Sequence, residues 1–199
     1  VNSPYNQRQD AYADTIIRGS IVDKNGNVLA QTVVGDDGSE TREYPYGEVF
    51  AHVIGYSNSK LGTTGLESVE NFELLTSNAF FLEKLQNEFS EKKNRGDTVV
   101  TTLDANLQQA AYDALGSNKG AAIVMEASTG KILAMVSKPD FDPDTIAADW
   151  DKLSENTESA MLMNRATQGL YPPGSTFKIV TALCYMRQHP EEYASYTFN

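Results

Sequence analysis

The chain has 199 residues, an apolar fraction of 40% and a formal net charge of −11, a composition that suits one or two compact globular domains. Its acidity argues against a nucleic-acid partner, because binding to phosphates is carried mainly by Lys and Arg. The single cysteine, Cys184, cannot form an internal disulfide, and His52 and His189 have no Cys or acidic cluster at ligand spacing, so we predict neither a metal site nor a cofactor.

The first part of the chain predicts a small antiparallel sheet. Residues 1–17 are polar and turn-rich, which is typical of a linker or an entry strand. Apolar runs then flank Asn25-Gly26, the strongest short-range signal of a β-hairpin. A calcium loop around Asp23 is the competing interpretation, but the glycine falls at the wrong position and the closing glutamate is missing. A second turn at Asp36-Asp37-Gly38 returns the chain through residues 40–44 and completes a small meander.

Two short helices are predicted next. The first covers residues 49–54 and ends at Gly55. The second begins after Thr64, a suitable N-cap, and Glu67 three residues later would complete a capping box. This pattern gives Glu67 a structural role at the start of a helix and not a catalytic one.

Three groups of residues follow one another in this half of the chain. They are Arg18-Gly19 with Asp23, Asn25-Gly26 and Leu29-Ala30; then Arg42-Glu43-Tyr44-Pro45-Tyr46-Gly47; then Gly62 with Gly65-Leu66-Glu67. Together they resemble the three-part signature of the non-catalytic pedestal of class B penicillin-binding proteins, a module that β-lactamases lack. The connection from Ala30 to Tyr44 is short where many members insert a long subdomain, so the resemblance is to a compact-pedestal subgroup. Lys24 stands where the family often has arginine.

The middle of the chain contains the predicted domain boundary. Residues 78–92 suit a helix, with Phe81, Leu85 and Phe89 forming an apolar stripe. A charged segment over residues 91–96 follows. We therefore assign residues 1–95 to the pedestal, which is of the dimerisation type, and residues 96–199 to the first part of a second domain.

The second domain begins with a strand, a helix and a hairpin. Residues 98–103 are β-branched, and Asp104 can cap an amphipathic helix. Residues 121–125 and 132–136 are short apolar strands joined by a tight turn. Residues 140–152 are predicted to be an acidic loop. This order implies an α+β fold in which helices pack on an antiparallel sheet.

A nucleophile and a base are predicted at the end of the chain. The spacing S-x-x-K occurs four times, but only Ser175 and Lys178 follow a Pro-Pro-Gly turn and open an apolar helix, which we expect to be buried. The other three pairs lie in polar or charged stretches. Three residues apart, Ser175 and Lys178 share one helix face. A serine hydroxyl needs a neighbouring base, and lysine can serve where its surroundings favour the neutral amine.

The stretch Tyr171-Pro172-Pro173-Gly174-Ser175-Thr176-Phe177-Lys178 looks like the active-site motif of penicillin-binding proteins. With the pedestal signature, the chain is identified as a member of the class B subgroup. The resemblance implies a peptidoglycan D,D-transpeptidase, with Ser175 as nucleophile and Lys178 as general base, that acts on stem peptides ending in D-Ala-D-Ala and is acylated by β-lactams. A β-lactam sensor or class D-like β-lactamase, and a non-catalytic cell-wall scaffold, are the alternatives.

The family also has S-x-N and K-T-G motifs, and neither follows Ser175 in this sequence. We therefore expect the chain to be a fragment that is nearly inactive alone. The resemblance implies a position outside the cytoplasmic membrane, an N-terminal transmembrane anchor and a membrane glycosyltransferase partner. No run in the sequence approaches the roughly 20 apolar residues that a spanning helix needs.

Overall fold

The computed structural model describes residues 16–77, 93–156 and 158–197. The predicted helix over residues 78–92 lies almost entirely outside the described residues. The chain divides into two compact units, residues 1–168 and residues 169–199, and each is described by itself. Among the described residues, no helix is both long and apolar enough to cross a bilayer.

A four-stranded sheet organises the first unit. Its strands, in spatial order, are β4 (Glu40–Glu43), β3 (Val28–Val34), β2 (Ile21–Val22) and β8 (Val99–Val100). Strands β2, β3 and β4 are antiparallel neighbours, which confirms the predicted meander, while β8 pairs with β2 in parallel. The two hairpin turns place Gly26 and Gly38 at φ of +87° and +80°, a region that favours glycine.

Short elements surround this sheet. Strand β1 (Ile16–Ile17) pairs with β7 (Asn94–Arg95), and β5 (Ser57–Asn58) pairs with β6 (Gly62–Thr63). The predicted first helix is a 3₁₀ turn, Gly47–Phe50, continued by α1 (Ala51–Ile54), and the second is α2 (Gly65–Val69), followed by α3 (Asn71–Leu74). A Cβ atom at Gly55 would lie 2.1 Å from the carbonyl oxygen of Thr64, so this close backbone approach requires glycine.

The second half of the unit packs a helix on a hairpin. Helix α4 (Ala105–Leu115) contacts β9 (Gly120–Met125) and β10 (Ile132–Lys138), which are antiparallel. As predicted, Asp104 is the N-cap of α4, and its carboxylate accepts from the backbone N–H groups of Asn106 and Leu107. The mixed α+β fold is therefore confirmed.

The prediction of a loop over residues 140–152 is wrong in its second half. Helix α5 (Ile146–Glu155) occupies it, and Ile146 and Leu153 are buried in the core. These two residues are two helical turns apart and lie on one face of the helix. The proline and the acidic residues before Ile146 obscured this periodicity. Helix α6 (Arg165–Gln168) then ends the unit.

One apolar core joins the two halves of the first unit. Its buried members come from the sheet, from α1 and from α4 and α5, and include Ile21, Leu29, Phe50, Ile54, Leu74, Leu103, Phe141, Ile146 and Leu153. The core therefore contains residues from both sides of the boundary that we predict at residue 95.

Candidate active site

The segment that carries the serine motif forms a 3₁₀ turn followed by a helix. Gly174–Phe177 is the 3₁₀ turn and Lys178–Gln188 is helix α7. Gly174 has a φ of +52°, and the hydroxyl of Thr176 donates a short hydrogen bond to the carbonyl of Pro173. Ser175 thus lies in the turn, and Lys178 is the first residue of α7, close to the predicted arrangement.

The expectation that this helix is buried is wrong for the chain described here. Ile179, Val180 and Leu183 are exposed to 66%, 47% and 59%, and Cys184 is also exposed. The second unit has, besides α7, only two 3₁₀ turns among its described residues. So few elements cannot enclose an apolar helix.

Ser175 and Lys178 are exposed as well. No hydrogen bond joins the Ser175 hydroxyl to the Lys178 amine in the part of the chain that the structure describes. The structure therefore places the two residues at the start of one helix without assembling them into a hydrogen-bonded pair, and the roles of nucleophile and base stay predictions.

The three sequence groups of the pedestal meet in a buried ionic cluster that we call the Glu67 cluster (Arg18, Arg42, Tyr44 and Glu67). Glu67 is fully buried, and its carboxylate lies 2.6 Å from Arg18 Nε and 2.7 Å from Arg42 Nη2. The hydroxyl of Tyr44 donates to the same carboxylate at 3.3 Å. Burial of two guanidinium groups is favourable only with such anionic partners and further hydrogen bonds.

The remaining donors of the Glu67 cluster reach backbone carbonyls. Arg18 donates to the Glu67 carbonyl at 2.5 Å, and Arg42 donates to the Gly19 carbonyl at 2.6 Å. Burial lowers the pKa of Arg18, while the charge and hydrogen bond of Glu67 oppose this shift. Burial, with the nearby charge of Glu67, raises the pKa of Tyr44.

The capping-box prediction for Glu67 is wrong in mechanism. Thr64 is at the N-cap position of α2, but its side chain makes no capping hydrogen bond there. Its hydroxyl accepts from the Tyr56 N–H at 3.3 Å. The carboxylate of Glu67 instead pairs with arginines 49 and 25 residues away in sequence, which local spacing could not reveal.

Asp23 connects the first hairpin turn to α4. Its buried carboxylate accepts from the backbone N–H groups of Asn25 and Asn27, both at 2.8 Å, and from that of Ala105 at 3.1 Å. Burial alone would raise the pKa of Asp23, but these bonds and one from the Asn27 side chain outweigh it and lower the pKa to about 2. Asp23 is thus occupied by protein donors, which favours the hairpin interpretation over the calcium loop.

A junction within the first unit joins α1 to the residues just before the serine segment. The buried His52 of α1 has its Nε2 3.0 Å from the carbonyl oxygen of Pro139, and its ring packs edge-on against Phe141. Burial lowers the pKa of His52, so the neutral ring donates through Nε2. The side-chain amide of Asn164 donates to the His52 carbonyl at 3.0 Å. A cavity of about 220 Å³ lies beside these residues.

Comparison with known proteins identifies two modules in the chain. Residues 18–99 match the family described as the penicillin-binding protein A dimerisation domain, and residues 120–194 match the penicillin-binding protein transpeptidase domain. The two matches lie in the order expected from the sequence. Helix α7, with Ser175 and Lys178, falls within the second match.

The relatives and the solved structures agree with these matches. The peptidoglycan D,D-transpeptidase PbpA of Mycobacterium tuberculosis is 39% identical over 195 residues, covering 89% of this chain and 39% of the relative. The peptidoglycan D,D-transpeptidase MrdA of Escherichia coli is 32% identical over 183 residues, covering 73% of this chain and 28% of the relative. The imipenem acyl-enzyme complex of M. tuberculosis penicillin-binding protein A superposes with a TM-score of 0.77 at 36% identity, covering 87% of this chain and 43% of that structure.

The chain belongs to the class B penicillin-binding proteins. It contains the dimerisation module, which is the pedestal of the sequence analysis, followed by part of the transpeptidase domain. The chain spans well under half the length of the curated relatives named here, 39% of one and 28% of the other.

Proposed function

We propose that the protein acts as a peptidoglycan D,D-transpeptidase whose nucleophile is Ser175. The observation that carries the proposal is the Ser175–Lys178 motif at the start of α7, inside the transpeptidase match and behind a pedestal module. The relatives with this organisation are D,D-transpeptidases, and solved structures of one of them are imipenem and ceftriaxone acyl-enzyme complexes.

The reaction is an acyl transfer in two steps. The hydroxyl oxygen of Ser175 attacks the carbonyl carbon of the penultimate D-alanine of a stem peptide, Lys178 takes the hydroxyl proton, and the terminal D-alanine leaves after its nitrogen is protonated. An amine of a second stem peptide then displaces Ser175 and forms the cross-link. A β-lactam acylates the same serine because its ring amide resembles the terminal amide of the substrate.

The alternatives are weaker on the same observations. A β-lactam sensor or hydrolase would share the Ser-Thr-Phe-Lys sequence, but the match over residues 18–99 is to a dimerisation module of penicillin-binding proteins. A non-catalytic scaffold would not require a serine and a lysine at this spacing after Pro-Pro-Gly. The transpeptidase hypothesis accounts for both modules.

Several finer assignments belong to this proposal. The pedestal would cover residues 1–95 and the transpeptidase domain would begin at residue 96, between the core of one match and the start of the other. The protein would act at the extracytoplasmic face of the membrane, with an N-terminal transmembrane anchor and a membrane glycosyltransferase as partner. The relatives are enzymes of peptidoglycan, which lies on that face.

The test is covalent labelling followed by intact-mass spectrometry. The protein encoded by the complete reading frame that contains this chain is incubated with a fluorescent penicillin, beside Ser175→Ala and the matched control Ser128→Ala. Ser128 begins another S-x-x-K sequence, but it lies in the exposed turn after β9. We expect a stable adduct on the parent protein and on Ser128→Ala and none on Ser175→Ala.

Two outcomes would contradict the proposal. An adduct on Ser175→Ala would mean that the nucleophile is wrongly assigned, and no adduct on the parent would favour the scaffold. Rapid loss of the adduct with continuous turnover of penicillin would indicate a hydrolase, because a transpeptidase remains acylated.

A further inference from the structure

We infer that Asn164 is a positioning residue for Ser175, through which the pedestal holds the start of the segment that carries the nucleophile. This inference rests on the proposed function of Ser175. It begins from the hydrogen bonds of a single side chain at the end of the first unit.

Asn164 makes two kinds of contact at once. It caps α6, because its Oδ1 accepts from the Ala166 N–H at 3.0 Å and its backbone carbonyl accepts from the Gln168 N–H at 2.8 Å. Its Nδ2 points the other way and donates to the carbonyl of His52 at 3.0 Å. Helix α1 has only four residues, so the carbonyl of His52 has no partner within the helix and accepts this bond instead.

The next residue fixes α6 from the opposite side. Arg165 is buried, and its N–H donates to the hydroxyl of Ser137 in β10 at 2.9 Å. Its guanidinium donates to the carbonyls of Ser159 and Ala160 at 2.6 and 3.0 Å. Helix α6 is therefore held between α1 of the pedestal and β10 of the following domain, and only Asn164 provides the pedestal bond among the described residues of α6 and its cap.

The chain leaves this anchored helix at Gln168 and reaches Ser175 seven residues later. Pro172 and Pro173 lie in that connection, and each fixes its own φ near −65°. A short connection with two restricted residues transmits a shift at its origin to its end. A displacement of a nucleophile by about 1 Å can reduce a rate about a hundredfold.

The capping and pedestal bonds can be separated by one substitution. Asn164→Asp keeps an oxygen that accepts from the Ala166 N–H and so preserves the cap of α6. It removes the donor to His52 and places a carboxylate oxygen against a carbonyl oxygen. The matched control is Asn118→Asp, because Asn118 Nδ2 donates to the carbonyl of Leu115 at 3.0 Å at the exposed end of α4.

The experiment measures acylation by a fluorescent penicillin under stopped-flow conditions, in the protein encoded by the complete reading frame. The dependence of the rate on penicillin concentration separates the first-order acylation rate constant from the dissociation constant of the non-covalent complex. We expect Asn164→Asp to reduce the acylation rate constant about tenfold or more. The dissociation constant and the final labelled fraction should stay within about twofold, and Asn118→Asp should match the parent.

The possible outcomes separate this inference from the proposed function. An acylation rate constant unchanged in Asn164→Asp, on a parent protein that labels at Ser175, would overturn the inference and leave the proposed function intact. A lower melting temperature and a smaller labelled fraction with an unchanged rate constant would also overturn it, because that result describes a purely structural residue. A parent protein that takes no label would overturn both.

Discussion

The Glu67 cluster and the serine segment treat their functional groups in opposite ways. Arg18, Arg42 and Glu67 come from distant parts of the sequence and are buried with almost every donor used. Ser175 and Lys178 are neighbours in one motif and are exposed. A local motif therefore identified the chemistry without its environment, whereas the pedestal signature identified a family without the physical reason for its residues.

This difference has an energetic basis. A buried ion loses several kcal/mol of hydration unless partners replace the water, so each member of the Glu67 cluster is needed by the others. The apolar residues of α7 are solvated in the described chain, and changes to them should have little effect on folding. The three predictions below test this contrast in order of expected effect.

The largest effect is expected from Glu67→Gln. The substitution preserves the shape of the side chain but leaves Arg18 and Arg42 buried without their anion. Loss of one partner of a buried ionic group costs about 3–5 kcal/mol. The free energy of unfolding, measured by urea titration and the fluorescence of Trp150 in α5, should fall by that amount.

The control for this experiment is Glu40→Gln. Glu40 pairs with Lys93 at 2.7 Å, and their side chains are 27% and 38% exposed. Screening by solvent limits such a pair to less than about 1 kcal/mol. Equal losses in the two variants would show that the Glu67 cluster is hydrated in solution and would remove the contrast between the regions.

The second prediction concerns pH and Asp23. The lowered pKa, about 2, means that the unfolded chain binds the proton more readily than the folded chain between pH 4 and pH 2. Stability from this group is therefore fully present above about pH 4 and is lost as the pH falls towards 2. The difference of almost two pKa units from an ordinary aspartate corresponds to about 2 kcal/mol.

The variant Asp23→Asn should lose this contribution at pH 7 and show a weaker dependence of unfolding on pH below 4. Asp37→Asn is the control, because Asp37 accepts from the Ser39 N–H at 2.9 Å in the other hairpin turn but is exposed. Its effect should be much smaller. If Asp23→Asn kept the parent's acid unfolding curve, the carboxylate would not be the link between the hairpin and α4.

The same contrast explains how much of the molecule could be predicted from its sequence. The hairpin at Asn25-Gly26, the cap at Asp104 and the start of α7 depend on residues within four positions of each other, and each was correctly predicted. The roles of Glu67 and Asn164 depend on partners 49 and 112 residues away. No periodicity or spacing reports such contacts.

Burial was the other property beyond local reasoning. The run from Phe177 to Cys184 is apolar on most sides, and this pattern predicts a buried helix. Burial also requires a covering surface, which the described residues of the second unit do not supply. Helix α5 shows the reverse case, because Ile146 and Leu153 are buried although the segment reads as acidic and polar.

The smallest effect is expected from Leu183→Ala in the 199-residue chain. Leu183 is 59% exposed, whereas Leu29 in the core is 1% exposed, so the same substitution at the two positions compares the two regions directly. Leu29→Ala should cost about 2–5 kcal/mol through lost contacts and a residual cavity. Leu183→Ala should stay within about 0.5 kcal/mol, because an exposed leucine has little burial to lose and alanine favours a helix equally well. Urea titration followed by far-ultraviolet circular dichroism measures both, and a cost of 2 kcal/mol or more at Leu183 would show that α7 is buried in solution.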